Sequence, residues 1–271
     1  MSYVLFFVYL SLFAWLLTKI RFITNTGLSS KIMIGLFVLK VLTGCVYALI
    51  MMRSNGLGDT ILFHNEGLKE YHLLLNDPKQ YVINFFHSGY QNGYDDLLSS
   101  KNSYWKDLQG NMIIRFLSIC NIFSFGNYYV NVIFYNFVIF FGNIGLYRVY
   151  KSIYPNKNYL LLGSCFLLPS LLVYTSTIHK EGLIFAAIGI VVYNMYAVLH
   201  KNNITWWRFI YIVLALVFIF LQRNYVILVM LPAIFAWMLT AKKKYSTLLT
   251  FSIIYLGGAL FFLLPTFYLL K

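Results

Sequence analysis

A chain of 271 residues that is 60% apolar and only 11% charged, with a mean hydropathy of +0.72, exceeds what a soluble globular domain tolerates. It reads as an integral membrane protein. The net charge of +13 does not argue for nucleic acid, because the basic residues sit in short loops at the ends of apolar stretches, where topology accounts for them.

A spanning helix needs roughly 20 mostly apolar residues, and the sequence offers about eight such stretches. In chain order they are 2–17, 32–52, 128–147, 159–175, 182–199, 206–221, 225–239 and 248–270. The first lacks the basic start and small-residue cleavage site of a signal peptide, and Lys19 and Arg21 follow it, so it counts as a span. Cys45, Cys120 and Cys165 are odd in number and lie in apolar sequence; they read as packing residues, with no disulfide framework or metal pattern.

Threading these spans places four loops on one side, at 18–31, 148–158, 200–205 and 240–247, where eleven basic and no acidic residues gather, counting Arg208 just beyond the third loop. That excess marks the cytoplasmic side. The opposite side collects Asp59, Glu66, Glu70, Asp77, Asp95, Asp96, Asp107 and Glu181, together with both termini.

The long outer segment 53–127 is the only stretch with room for a structure of its own. Residues 57–75 carry a helical apolar pattern that breaks before Pro78, and 88–103, rich in Gly, Asn, Ser and Asp, reads as a loop. Residues 111–123 form a second amphipathic helix with Arg115 on its polar side, as expected of a helix resting in the membrane interface. The fold class is therefore an all-α polytopic membrane helical bundle with interfacial amphipathic helices in one long outer loop.

Ionisable groups at membrane level are functional candidates, and four places qualify. Asp59 follows the second span within Gly56-Leu-Gly-Asp59-Thr60. It suits a general base that takes a proton from an acceptor hydroxyl, and equally a helix cap; the two roles are compatible. His64 and Glu66 follow closely as substrate-binding candidates, although their spacing with Asp59 matches no established metal motif. A divalent metal ion is retained only as a candidate cofactor. The second place is His179-Lys180-Glu181, an outer turn too short to lift its charges from the membrane. Lys180 could hold a phosphate beside the positive end of the next helix, or extend to lipid headgroups while Glu181 caps the helix. The third is Arg223 in Gln222-Arg223-Asn224, a phosphate fork at another helix start or an anchor to lipid phosphate. The fourth, Lys40, lies mid-span and is expected against a polar partner or lining a cavity.

The order of these motifs resembles the GT-C superfamily of membrane glycosyltransferases. The resemblance rests on the Gly-Asp after an early span, the long outer segment, Leu-Pro-Ser-Leu-Leu-Val-Tyr-Thr-Ser-Thr-Ile-His-Lys-Glu-Gly-Leu at 168–183, and Gln-Arg-Asn-Tyr-Val at 222–226 ahead of a proline-containing span. Bacterial polysaccharide-associated members read Ser-Gly-Ile-His-Lys-Asp/Glu-Gly in the second outer loop; here Thr177 stands in place of the glycine. The family implies a seven-helix module, here 32–271 with its outer loop 53–127, after an extra amino-terminal helix and cytoplasmic loop at 1–31. It implies Asp59 and Glu181 as catalytic acids, and Lys180 and Arg223 as holders of the phosphate of a polyprenyl-phosphate-linked sugar donor. The expected reaction is sugar transfer to a saccharide, lipid or protein acceptor on the outer face of a bacterial cytoplasmic membrane, in cell-envelope polysaccharide or glycoconjugate assembly. Family members continue past the position of Lys271 into further helices that help bind the acceptor, so the sequence is read as truncated or as a minimal member. A transporter or flippase for a lipid-linked saccharide would show inverted repeats, which are not visible; a non-catalytic membrane subunit is the remaining alternative.

Overall fold

The computed structural model describes residues 2–54, 58–86, 104–241 and 246–269, and every regular element among them is helical. The helices are α1 (Ser2–Leu17), α2 (Arg21–Thr24), α3 (Ser30–Arg53), α4 (Asp59–Asn76), α5 (Pro78–Phe86), α6 (Tyr104–Ser124), α7 (Tyr128–Ile153), α8 (Asn158–Leu162), α9 (Pro169–Ser176), α10 (Lys180–Leu199), α11 (Trp206–Gln222), α12 (Asn224–Ala241) and α13 (Thr247–Leu269), with a π-helical turn at Gly163–Leu167 between α8 and α9.

Each stretch expected to span is mainly helical, with a break at Leu168, but among the described residues length and hydropathy qualify four helices to cross a membrane alone: α3, α7, α10 and α12. A fifth crossing arises if α8, the π turn and α9 count together, and that pair is bent by 48°. The remaining apolar helices are shorter in their described parts: Tyr3–Leu17, Trp206–Gln222 and Thr247–Gly258. The bend has a local cause. Pro169 forces Leu168 out of helical geometry (ψ 123°) and offers no N–H to the Cys165 carbonyl four residues back. Asn143 on α7 donates to that carbonyl instead, at 2.7 Å.

Contacts divide the chain into two units, Met1–Tyr193 and Asn194–Lys271. In the first, α7 is the central column: α1, α3, α6 and α9 all pack on it, and Phe37, Ile133, Tyr135, Phe140 and Phe166 fill the core between them. Residues Gly142 and Gly145 of α7 meet Ala186 and Gly189 of α10 backbone to backbone, where a Cβ on Gly142 would collide with Ala186. Small residues at such a crossing let two helices approach without an aqueous driving force. At the other end of α7, Arg148 donates to the Phe22 carbonyl (3.1 Å) and Lys151 to the Thr26 carbonyl (2.8 Å), tying down α2. In the second unit α12 packs on both α11 and α13, and Trp237 donates to His200 at 3.0 Å.

The long segment differs from expectation. It holds three helices, because Asp77 caps a new one at Pro78, its carboxylate accepting from the Gln80 amide at 3.0 Å. Arg115, expected on a solvent-facing polar side, is 4% exposed and pairs with Glu70 of α4 at 2.7 Å. The cause is that α6 packs directly on α4, with Gly67 against Leu117, so the charged position faces a partner helix. The expected loop 88–103, with Asp95 and Asp96, lies outside the described residues.

Candidate functional site

The first unit converges on the peptide Thr175–Glu181, which joins α9 to α10. Helix α9 ends inside the bundle, so its last carbonyls cannot turn to water. Two side chains satisfy carbonyls at this end, and a third holds the turn beyond it. Lys40 Nζ, 1% exposed, donates to Thr175 Oγ1 at 2.6 Å and to the Thr175 carbonyl at 3.3 Å. Asn136 Nδ2 donates to the Ser176 carbonyl at 2.8 Å, and the Tyr135 hydroxyl donates to the His179 carbonyl while accepting from the His179 amide at 3.4 Å. Space is left by two glycines: a Cβ on Gly44 would strike the Ser176 carbonyl, and one on Gly182 would strike the Tyr135 hydroxyl. The expectation that Lys40 lies against a polar partner holds, and Thr175 is that partner.

Beyond this anchor the turn presents its charges. His179 Nδ1 stands 3.4 Å from Glu181 Oε2, and the His179 ring meets Tyr47 edge-on at 6.4 Å. Lys180, the first residue of α10, holds its ammonium 5.3 Å from the centre of the Phe63 ring. The turn is recessed: Tyr47 lies about 9 Å, and Lys40 about 20 Å, from the Arg53 end of α3 at about 1.5 Å per residue. The recess follows from the shortness of α9, which is eight residues long and ends beside Lys40.

Helix α4 stands over this turn. Asp59 is its first residue, exposed, and lies one turn before Phe63 on the same helix face. Gly58, not Asp59, occupies the capping position, and its backbone caps without a side-chain bond, so Asp59 is not the cap residue. The inward face of α4 packs on α7: Thr60 bonds the Tyr128 hydroxyl, and His64 meets the Tyr128 ring edge-on at 5.1 Å. Burial pushes the His64 imidazole down to about 4, so it stays neutral at physiological pH and serves packing against Tyr128. Glu66 is engaged elsewhere, with Lys69 at 2.7 Å on an exposed surface. Among the described residues no three His, Cys, Asp or Glu side chains come together as a metal site.

Structure thus brings the α4 start and the His179-Lys180-Glu181 turn together, while it turns His64 inward and Glu66 toward Lys69. Arg223 belongs to the second unit, where it separates α11 from α12 and holds its guanidinium 5.9 Å from the Tyr225 ring. Tyr135, Asn136, Tyr128 and Phe63 escaped the sequence reading. The two α7 asparagine and tyrosine positions carried a usable signal, since a polar group inside an apolar span requires a bonding partner. No family model matches the chain, and no match is found among curated proteins or among solved structures.

Proposed function

We propose that the chain is a membrane glycosyltransferase of the GT-C type. It moves a sugar from a polyprenyl-phosphate-linked donor to an acceptor at the outer face of the cytoplasmic membrane. In this reading eight helices cross the membrane, both termini lie outside, and α4 to α6 cover the outer end of α3 and α7. Lys180 and the positive amino end of α10 hold the donor phosphate. Asp59 takes the proton from the acceptor hydroxyl as the sugar is attacked, and the polyprenyl phosphate leaves with its charge held in place. Glu181 keeps His179 oriented within the turn. Arg223 is a separate phosphate-binding candidate, on its sequence position at the start of α12 alone.

The observation that supports the reading is the stacking of Lys180 on Phe63, at 5.3 Å, one helical turn from Asp59. A cation beside a helix amino end thereby meets α4 one helical turn from the Asp59 carboxylate. The test is native mass spectrometry of protein extracted gently from its own membrane. A polyprenyl phosphate or polyprenyl-linked sugar should accompany the wild type and be lost from Lys180→Ala. Asp59→Asn should keep that lipid while losing transfer to any acceptor. Bulk phospholipid alone in every sample would overturn the assignment.

A further inference from the structure

The buried amine of Lys40 touches nothing that the proposed chemistry uses, yet it is among the largest fully buried side chains of the protein. Burying such a group in an apolar bundle is costly unless it is bonded. Its bonds go to a single residue 135 positions away, Thr175, through both the hydroxyl and the carbonyl. Thr175 lies in the last turn of α9, and Lys180 opens α10 five residues later. The intervening peptide has no helical ladder of its own beyond the Thr177 amide, which reaches back to the Val173 carbonyl at 3.2 Å. Lys40 is therefore one of three side chains, with Asn136 and Tyr135, that fix where this peptide runs, and the only one of the three that comes from α3.

We infer that Lys40 is a positioning residue: by seating the end of α9 it sets the depth and register of the Thr175–Glu181 peptide, and so the point at which Lys180 meets a phosphate. The clause about phosphate rests on the proposed function; the clause about the peptide does not. A lysine amine is the fitting group here, because the carbonyl end of a helix carries partial negative charge and the amine, from a neighbouring helix, donates to it. Bulk water does not reach this site, where Ser176 and Thr177 are fully buried. Geometry also explains why α3 carries Gly44 one turn beyond Lys40: the Ser176 carbonyl occupies the space of its side chain.

Two readouts test the inference on the full-length protein in lipid nanodiscs. The first is hydrogen–deuterium exchange of the amides between Thr175 and Gly182, which needs no ligand. Lys40→Met should speed their exchange at least tenfold while leaving α11 and α12 unchanged. Thr175→Val, which keeps the shape and removes the hydroxyl, should act in the same direction, and Thr175→Ser should match the wild type. Thr175→Val supplies the answer if Lys40→Met does not fold. The second readout is the affinity for undecaprenyl phosphate. Lys40→Met should weaken it about tenfold, and combining it with Lys180→Ala should weaken it no further than Lys180→Ala alone, because Lys40 acts through the turn. Unchanged exchange across Thr175–Gly182 in both Lys40→Met and Thr175→Val would overturn the positioning role. Additive losses of affinity would overturn it as well, by giving Lys40 an independent contact. If the wild type binds no undecaprenyl phosphate, the proposed function fails, and the exchange data still decide whether Lys40 positions the peptide.

Discussion

Among the described residues of the first unit two basic side chains, Arg115 and Lys40, are buried, and their polar ends are satisfied in opposite ways. Arg115, between α4 and α6, faces the Glu70 carboxylate at 2.7 Å and also donates to the Tyr81 carbonyl at 3.2 Å and to Asn111 at 3.1 Å. Lys40, between α3 and α9, faces no carboxylate among the described residues and is answered by the hydroxyl and carbonyl of Thr175. The first arrangement is an ion pair that joins two helices along their length. The second pins a single point of backbone. Removing Arg115 leaves a charge behind, whereas removing Lys40 leaves a loosened peptide, so the first should be read in global stability and the second in local motion.

The largest effect is expected where the ion pair is broken. Arg115→Met should cost about 3 kcal/mol in reversible unfolding, the lower end for a broken buried pair, because Glu70 keeps some access to water. Adding Glu70→Leu should restore most of the loss, and failure of the double variant to recover would assign the cost to Tyr81 and Asn111 instead. Next comes Gly182→Ala, which forces the new methyl against the Tyr135 hydroxyl and should cost roughly 2 kcal/mol as overpacking, with Tyr135→Phe relieving part of it.

A smaller, pH-dependent effect sharpens the contrast further. His64 is held down to about 4 by burial against an ordinary value of 6.5, so the folded state resists a proton that the unfolded chain accepts. Its contribution is complete above pH 6.5 and is lost as pH falls from there toward about 4. Melting temperature followed by tryptophan fluorescence should drop across that window, and His64→Phe should flatten the drop. Glu70 works in the reverse sense, because burial raises its carboxyl against the opposing pull of Arg115, so its contribution fades as pH rises. Comparison with the His64 variant separates the two. The smallest effect belongs to the exposed pair Glu66 and Lys69, where Glu66→Ala should change stability by less than about 0.5 kcal/mol.

Much of this architecture was legible in the sequence. The first stretch, 2–17, coincides with α1, and 206–221 differs from α11 by one residue, because apolar runs bounded by Lys, Arg, Asn and Pro leave little freedom of placement. Pro78 marked a real break, whereas Pro169 breaks the stretch 159–175 that was read as one span. Less legible was anything that depends on which helix faces which. Arg115 sits on a face that is polar in sequence and buried in structure, because α4 supplies Glu70 from 45 residues upstream. The anchor of the Thr175–Glu181 peptide draws on α3 and α7, and nothing local to that peptide announces Lys40, Tyr135 or Asn136 as its partners. Asp59 and Lys180 were both singled out from sequence, but the adjacency of α4 to the turn, through Phe63 and Lys180, is a property of packing.

That adjacency is the central claim, and cross-linking tests it directly. In a background where Cys45, Cys120 and Cys165 are replaced by alanine, Phe63→Cys and Lys180→Cys are combined and treated, in native membranes, with a short bifunctional thiol reagent. The account predicts an efficient intramolecular cross-link for this pair and none when Lys180→Cys is combined with a cysteine at Glu66, on the exposed part of α4. Absence of the Phe63–Lys180 link, with each cysteine reactive alone, would contradict the placement of α4 over the turn and remove the structural basis for a shared site.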